Sequence, residues 1–147
     1  MRAKQKLTAD PDTLAMIELV LAVAARGDAV IVGRGAGFLL PPETTVHVRV
    51  VAPFEARVAY FAQSLRMTRE EAAAEVRARD DRRAKYLTAT LGRDAADPTG
   101  YDAVVNANRL GIEGAAQFIQ WAVRTKQMFA EMKATDEAVR LEDLPET

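Results

Sequence analysis

Three short apolar runs, rich in β-branched residues, constrain this chain more than any other feature. They are residues 29–32 (Ala-Val-Ile-Val), 46–51 (Val-His-Val-Arg-Val-Val) and 101–106 (Tyr-Asp-Ala-Val-Val-Asn). Each has strand length, and stretches of helical periodicity separate them. Strands that alternate with helices pair in parallel, because each return crosses back over the sheet, and the crossing helices then cover its faces. The expectation is an α/β fold: a parallel sheet of about three strands covered by helices.

The helical segments carry their own punctuation. Asp12 caps a helix over 12–26, in which Leu14, Ile17, Leu21 and Ala24 recur at helical spacing, and Arg26-Gly27-Asp28 ends it. Pro53 stands where a helix over 54–65 begins. Thr68-Arg69-Glu70-Glu71 is a capping box that opens a long polar helix running to about Leu87. A loop rich in glycine, aspartate and proline follows over 92–100, and a last helix spans 112–133. Phe118, Trp121 and Phe129 read as packing residues of that helix. No repeat or linker divides the chain, so 1–134 forms one domain with a lid at about 66–91, followed by an acidic flexible tail over 135–147.

Composition closes off several function classes. A hydrophobic fraction of 49% in 147 residues is ample for one globular domain. Twenty basic residues against 21 acidic give a net charge of -1, so no global field draws the chain to nucleic acid or to an acidic membrane. There is no cysteine, hence no disulfide framework or thiolate metal site. His47 is the only histidine, which argues against a metal site or a histidine-based triad. The longest apolar run, 19–25, is far short of a membrane span, and Asp10-Pro11-Asp12 interrupts any leader-like start. A cytoplasmic protein is expected.

Two clusters have residue types suited to chemistry. Gly33-Arg34-Gly35-Ala36-Gly37 leaves the first apolar run as a glycine-rich turn, where backbone N–H groups and the Arg34 guanidinium can meet an anion. It is not a dinucleotide fingerprint, because Pro41-Pro42 stops any helix begun there. Nor is it a P-loop, because no lysine followed by serine or threonine is present. The plainer alternative is a tight turn that needs glycine dihedrals, with Arg34 in solvent. The second cluster lies on the long polar helix, where Arg79, Arg82, Arg83 and Tyr86 share a face and can close over a polyphosphate. Its alternative is a solvated face held by i,i+4 pairs, Glu75 with Arg79 and Asp81 with Lys85.

In this order the segments resemble the cytidylate-kinase-like family of P-loop nucleoside monophosphate kinases. The resemblance is carried by Gly27–Ala36, Val46–Pro53 with Arg57, the arginine-rich helix, and Tyr101–Asn106 with Arg109–Glu113; it runs from about Leu14 to about Trp121. It implies a partial P-loop-kinase fold with a helical lid, and transfer of the ATP γ-phosphoryl, with Mg2+, to CMP, dCMP or a related monophosphate. It also implies that Gly33, Arg34, Gly35 and Arg57 form the substrate side, with Arg34 holding the monophosphate. Arg79 would face the transferred phosphoryl, supported by Arg82 and Arg83. The family's first strand and P-loop lie upstream of this chain's first helix, and nothing in residues 1–12 replaces them, so no site for the ATP phosphates is expected. Family members carry an aspartate where this chain has Gly35, and a lid aspartate and arginine where it has Arg83 and Tyr86. The expectation is a truncated, inactive relative that binds a nucleoside monophosphate weakly. The alternatives are a non-catalytic nucleotide- or partner-binding module, and one half of a split kinase. The missing strand would be made good by self-association or by a P-loop-bearing partner chain, in preference to direct pairing of 29–32 with 46–51 or to a loosely folded chain.

Overall fold

A computed structural model describes residues 10–142. Helix α1 (Pro11–Ala25) leads through a turn to a four-residue helix, α2 (Ala36–Leu39), and then to strand β1 (Val48–Val51). Helices α3 (Phe54–Leu65) and α4 (Arg69–Leu91) form a hairpin. A single 3-10 turn (Pro98–Gly100) precedes strand β2 (Ala103–Asn106) and the long helix α5 (Ala107–Glu142), which is kinked at Gly111. Expectations for residues 1–9 and for the end of the tail lie outside the described residues. The tail's first part, to Glu142, is helical.

The two strands pair in parallel, with Val48 opposite Ala103 and Val51 opposite Asn106, and helices flank them. The α/β class with parallel pairing is thus what the chain forms, but only two of the three expected strands are present among the described residues. Residues 29–32 make no ladder. Val30 is 94% exposed and Val32 89%, so this run has the composition of a buried strand without a neighbour to bury it. A strand is stabilised by cross-strand bonds and packing, neither of which its own sequence supplies.

Local signals fared better. Asp10 caps α1, its carboxylate accepting from the amides of Asp12 and Thr13, so the cap lies two residues before the expected Asp12. The capping box at α4 forms as read: the Glu71 amide donates to Thr68 Oγ1 at 3.2 Å, and the Thr68 amide donates to Glu71 Oε2 at 2.8 Å. Between α3 and α4 the chain turns through Arg66 in the left-handed conformation, and Arg69 pairs with Glu55 across the hairpin.

The best-packed region lies inside this hairpin. Val58, Ala72 and Val76 are buried together, with Phe54, Phe61, Ala62 and Met67 around them. Leu87, near the other end of α4, is buried as well, but residues 79–85 between the two zones are almost wholly exposed. Helix α4 therefore works as a strut: its first turns pack on α3, and its last turns pack on the segment around α2.

Candidate functional site

The turn before α2 is built on three consecutive left-handed residues, Gly33 (φ 84), Arg34 (φ 57) and Gly35 (φ 65). Glycine enters this region freely, whereas an L-residue such as Arg34 pays roughly 1–2 kcal/mol, so surrounding contacts must hold it there. The Ala36 amide donates to the Gly33 carbonyl at 3.2 Å, and the Phe38 amide donates to the Gly35 carbonyl at 2.9 Å. The phenol of Tyr86 donates to the Arg34 carbonyl at 3.2 Å, which ties α4 to the turn. Leu87 and Leu91 press on Gly35, where a Cβ would come within 2.6 Å of Leu91 Cδ1. An aspartate at position 35 conflicts with this packing. The Arg34 side chain is exposed and has no carboxylate partner among the described residues.

The arginines of α4 divide into two groups. Arg79 Nε donates to Glu75 Oε1 at 2.7 Å, and Arg82 Nη2 donates to the same oxygen at 3.2 Å. The Arg79 guanidinium also stacks on Phe61, 4.7 Å from its ring centre. The hydrogen bond from Arg79 is the main reason the Glu75 carboxyl lies below its ordinary pKa. Arg83 has no such partner among the described residues. By helical spacing it lies in line with Val76 and Leu87, but unlike them it is exposed. The Glu75–Arg79 pair forms as the spacing implies, and the Asp81–Lys85 pair does not.

Arg57 is committed elsewhere. Its Nη1 donates to Asp80 Oδ1 at 2.7 Å, a bond that holds its pKa above the ordinary value and fastens α3 to α4. Its Nε is buried without a partner. Of the residues expected on the substrate side, Gly33, Arg34 and Gly35 thus share one turn, and Arg57 lies on the hairpin. The contact joining turn to helix runs through Tyr86, not through an arginine.

A third cluster clamps the amino ends of the strands. The His47 amide donates to Asp102 Oδ2 at 2.7 Å, and its ring Nδ1 lies 2.8 Å from the Gly100 carbonyl, which fixes Nδ1 as the protonated nitrogen. Lys126 of α5 donates to Asp102 Oδ1 at 2.7 Å and to the Thr45 carbonyl at 2.6 Å. Burial lowers the His47 pKa, against the opposing pull of the Gly100 bond and the Asp102 charge. Burial pushes Asp102 upward, but the bonds from Lys126 and the His47 amide bring it below its usual value. Phe38, His47 and Tyr101 pack ring on ring beside this network, with centroids 4.6–5.4 Å apart. Gly37 is required here, since a Cβ would collide with the His47 ring. A small cleft of about 130 Å³ opens between Gly37, Thr45, His47 and Tyr101. The Asp102 carboxylate, the His47 amide and Nδ1, and the Lys126 ammonium are all engaged in joining the strand ends to each other and to α5, so the clamp's role is to hold the sheet together.

Sequence reasoning noted Tyr86 only as sharing a face with the arginines, and it did not find Asp80 or the Asp102–Lys126 pair. Tyr86 and Arg34 are 52 positions apart, and His47 and Asp102 are 55 apart; no local spacing encodes such partners.

The model of the cytidylate kinase-like family matches residues 5–109, more than half of the chain. No curated protein and no solved structure matches it.

Proposed function

The chain belongs to the cytidylate kinase-like family, and from that premise we propose that it binds the phosphate of a nucleoside monophosphate at Arg34, under α4, without transferring a phosphoryl group on its own. The observation that carries this reading is the Arg34 turn. A charged fork is displayed on a backbone held in a costly conformation, latched through Tyr86 by a helix that also carries Arg83, exposed and without a carboxylate partner among the described residues. Strain of this kind persists where surrounding contacts over-determine it, and such places cluster at ligand sites. A guanidinium grips a phosphate through two parallel charge-assisted hydrogen bonds. Arg79 and Arg82 share Glu75 of their own helix, and Arg79 also stacks on Phe61 of α3, so their charge is partly spent within the hairpin.

The family's reaction uses ATP and Mg2+. The residues around the turn do not fit that pair. They offer guanidinium and backbone groups without a carboxylate, and no group of three histidine or acidic side chains converges among the described residues. No lysine followed by serine or threonine stands on a glycine-rich turn in the 147 residues. Cradling the β- and γ-phosphates needs that lysine with its backbone N–H groups, so the chain alone has no place for the donor. Among the described residues, no helix is long and apolar enough to cross a membrane.

Titration of labelled protein with CMP, monitored by NMR, tests the reading. Shifts are expected at residues 33–37, weakening with salt and disappearing in Arg34→Ala, because losing a charged hydrogen bond costs about 1.5–3 kcal/mol. Equal shifts in wild type and variant would overturn it. In a coupled assay, phosphorylation of CMP, dCMP or UMP should stay at background; turnover above a mock purification would refute the donor argument.

A further inference from the structure

Helix α5 is in contact with the sheet along one side only. Ala115 is buried there, and Lys126 reaches back to Asp102. A second stripe, roughly a quarter turn away around the helix, has its large apolar side chains left exposed among the described residues and only Thr125 half-buried. It consists of Phe118, Trp121, Thr125, Met128 and Met132, at alternating steps of three and four, with Phe129 at its edge. Phe118 is 42% exposed, Trp121 61%, Met128 51%, Phe129 53% and Met132 54%. Phe118, Trp121 and Phe129, read from the sequence as packing residues of this helix, are thus left exposed by the rest of the described chain. The sheet has only two strands, too narrow to cover an apolar arc as wide as that of α5. Steps of three and four over more than two turns define the seam along which two helices pair.

We propose that this stripe is a self-association surface, and that two copies of the chain pair α5 against α5 in antiparallel orientation. The flanking charges choose the orientation. Setting Thr125 against Met128 of the second copy puts Trp121 opposite Met132 and brings Arg124 beside Glu131, and two-fold symmetry makes each contact twice. Parallel pairing would bring Glu131 beside Asp136 of the second copy, like charge against like. The antiparallel register also lays the helix beyond Lys126 of each copy along the 118–126 stretch of the other, with the two bodies at opposite ends. An aromatic side chain buries roughly 150–250 Å². With about half of that still uncovered on each aromatic, and comparable area on the methionines, two copies together reach the roughly 1,000 Å² that a specific interface needs.

The chain's composition suits the test. Trp121 is its single tryptophan, and it has no cysteine. Sedimentation velocity across a concentration series should show the mass doubling, with Trp121 emission moving to the blue over the same range. Arg124→Glu should weaken association at least about tenfold, and adding Glu131→Arg in the same chain should restore it, because an antiparallel pair exchanges the two signs. A mixture of Thr125→Cys and Met128→Cys chains should oxidise to the mixed dimer, whereas Thr125→Cys alone should stay uncrosslinked. Arg124, Met128 and Glu131 are exposed and Thr125 is half-buried, and circular dichroism of each variant checks that the fold is retained. A monomer with red-shifted emission at every concentration would overturn the proposal. So would a dimer that the double charge exchange does not restore, or a Thr125→Cys chain that crosslinks to itself, which would mean parallel pairing.

Discussion

The α3–α4 hairpin and helix α5 are both long helical elements of one small chain, yet they solve the burial problem in opposite ways. The hairpin closes on itself: a left-handed Arg66, a capping box and two short helix faces bring Val58, Ala72 and Val76 together, at most 2% exposed. Helix α5 is longer than either hairpin helix and carries Phe118, Trp121 and Phe129, but among the described residues it buries only Ala115. The difference lies in where the partner surface is encoded. Hairpin partners are adjacent in sequence, so closing the loop costs little entropy and the match is local. The second stripe of α5 meets no neighbour among the described residues, and in the proposed pairing a second copy covers it.

Substitutions in the two regions should therefore differ sharply. Val58→Asp places an unpaired carboxylate in the hairpin core and should destabilise the chain by at least about 3 kcal/mol. Trp121→Asp, at an exposed site of a regular helix, should leave the monomer's unfolding midpoint within about 0.5 kcal/mol of wild type. Urea unfolding at the lowest practical concentration separates the two, and equal losses would mean that the α5 stripe is packed after all.

A smaller effect tests the joint between α4 and the glycine turn. Gly35→Asp sets a side chain against Leu87 and Leu91 at a left-handed position, and should cost about 1–3 kcal/mol. Tyr86→Phe keeps the ring and removes only the bond to the Arg34 carbonyl, so about 1 kcal/mol is expected. If the hairpin and the turn are separate stability units, hydrogen exchange should rise at residues 33–39 in both variants and remain unchanged at 58–76. Uniform acceleration would show one cooperative unit.

The mildest effect should come from the clamp that joins both strands to α5. The folded-state pKa of His47 lies below 6.5, so the folded chain favours the neutral ring. The stability this provides is complete above pH 6.5 and is lost as pH falls through the folded pKa, because the unfolded chain binds the proton more readily. Thermal midpoints should fall between pH 7 and pH 5, and His47→Gln should flatten that slope. An unchanged slope would assign the pH dependence to another group.

Much of the secondary structure was legible because its signals are local. The capping box at Thr68, the helix after Pro53 and the Glu75–Arg79 pair each involve residues within four positions of one another. Residues 29–32 were misread because β-branched composition records a preference, whereas a strand exists only where a second strand lies alongside. Phe118, Trp121 and Phe129 were misread because an apolar stripe shows that a helix has a side to bury, without showing what is there to cover it.

At the candidate site, the sequence by itself determined the chemical groups: the glycine-rich turn with Arg34, the arginines of α4, and the absence of any lysine followed by serine or threonine. It also placed Arg79, Arg82, Arg83 and Tyr86 on one helix face, since helical geometry converts spacing into direction. Only the tertiary structure decided which of those groups are free. It shared Arg79 and Arg82 on Glu75, paired Arg57 with Asp80, gave Tyr86 to the Arg34 carbonyl, and left Arg34 and Arg83 without partners among the described residues. The physical reason is that availability of a charged group depends on every neighbour within a few ångströms, and the chain brings those neighbours in from tens of positions away.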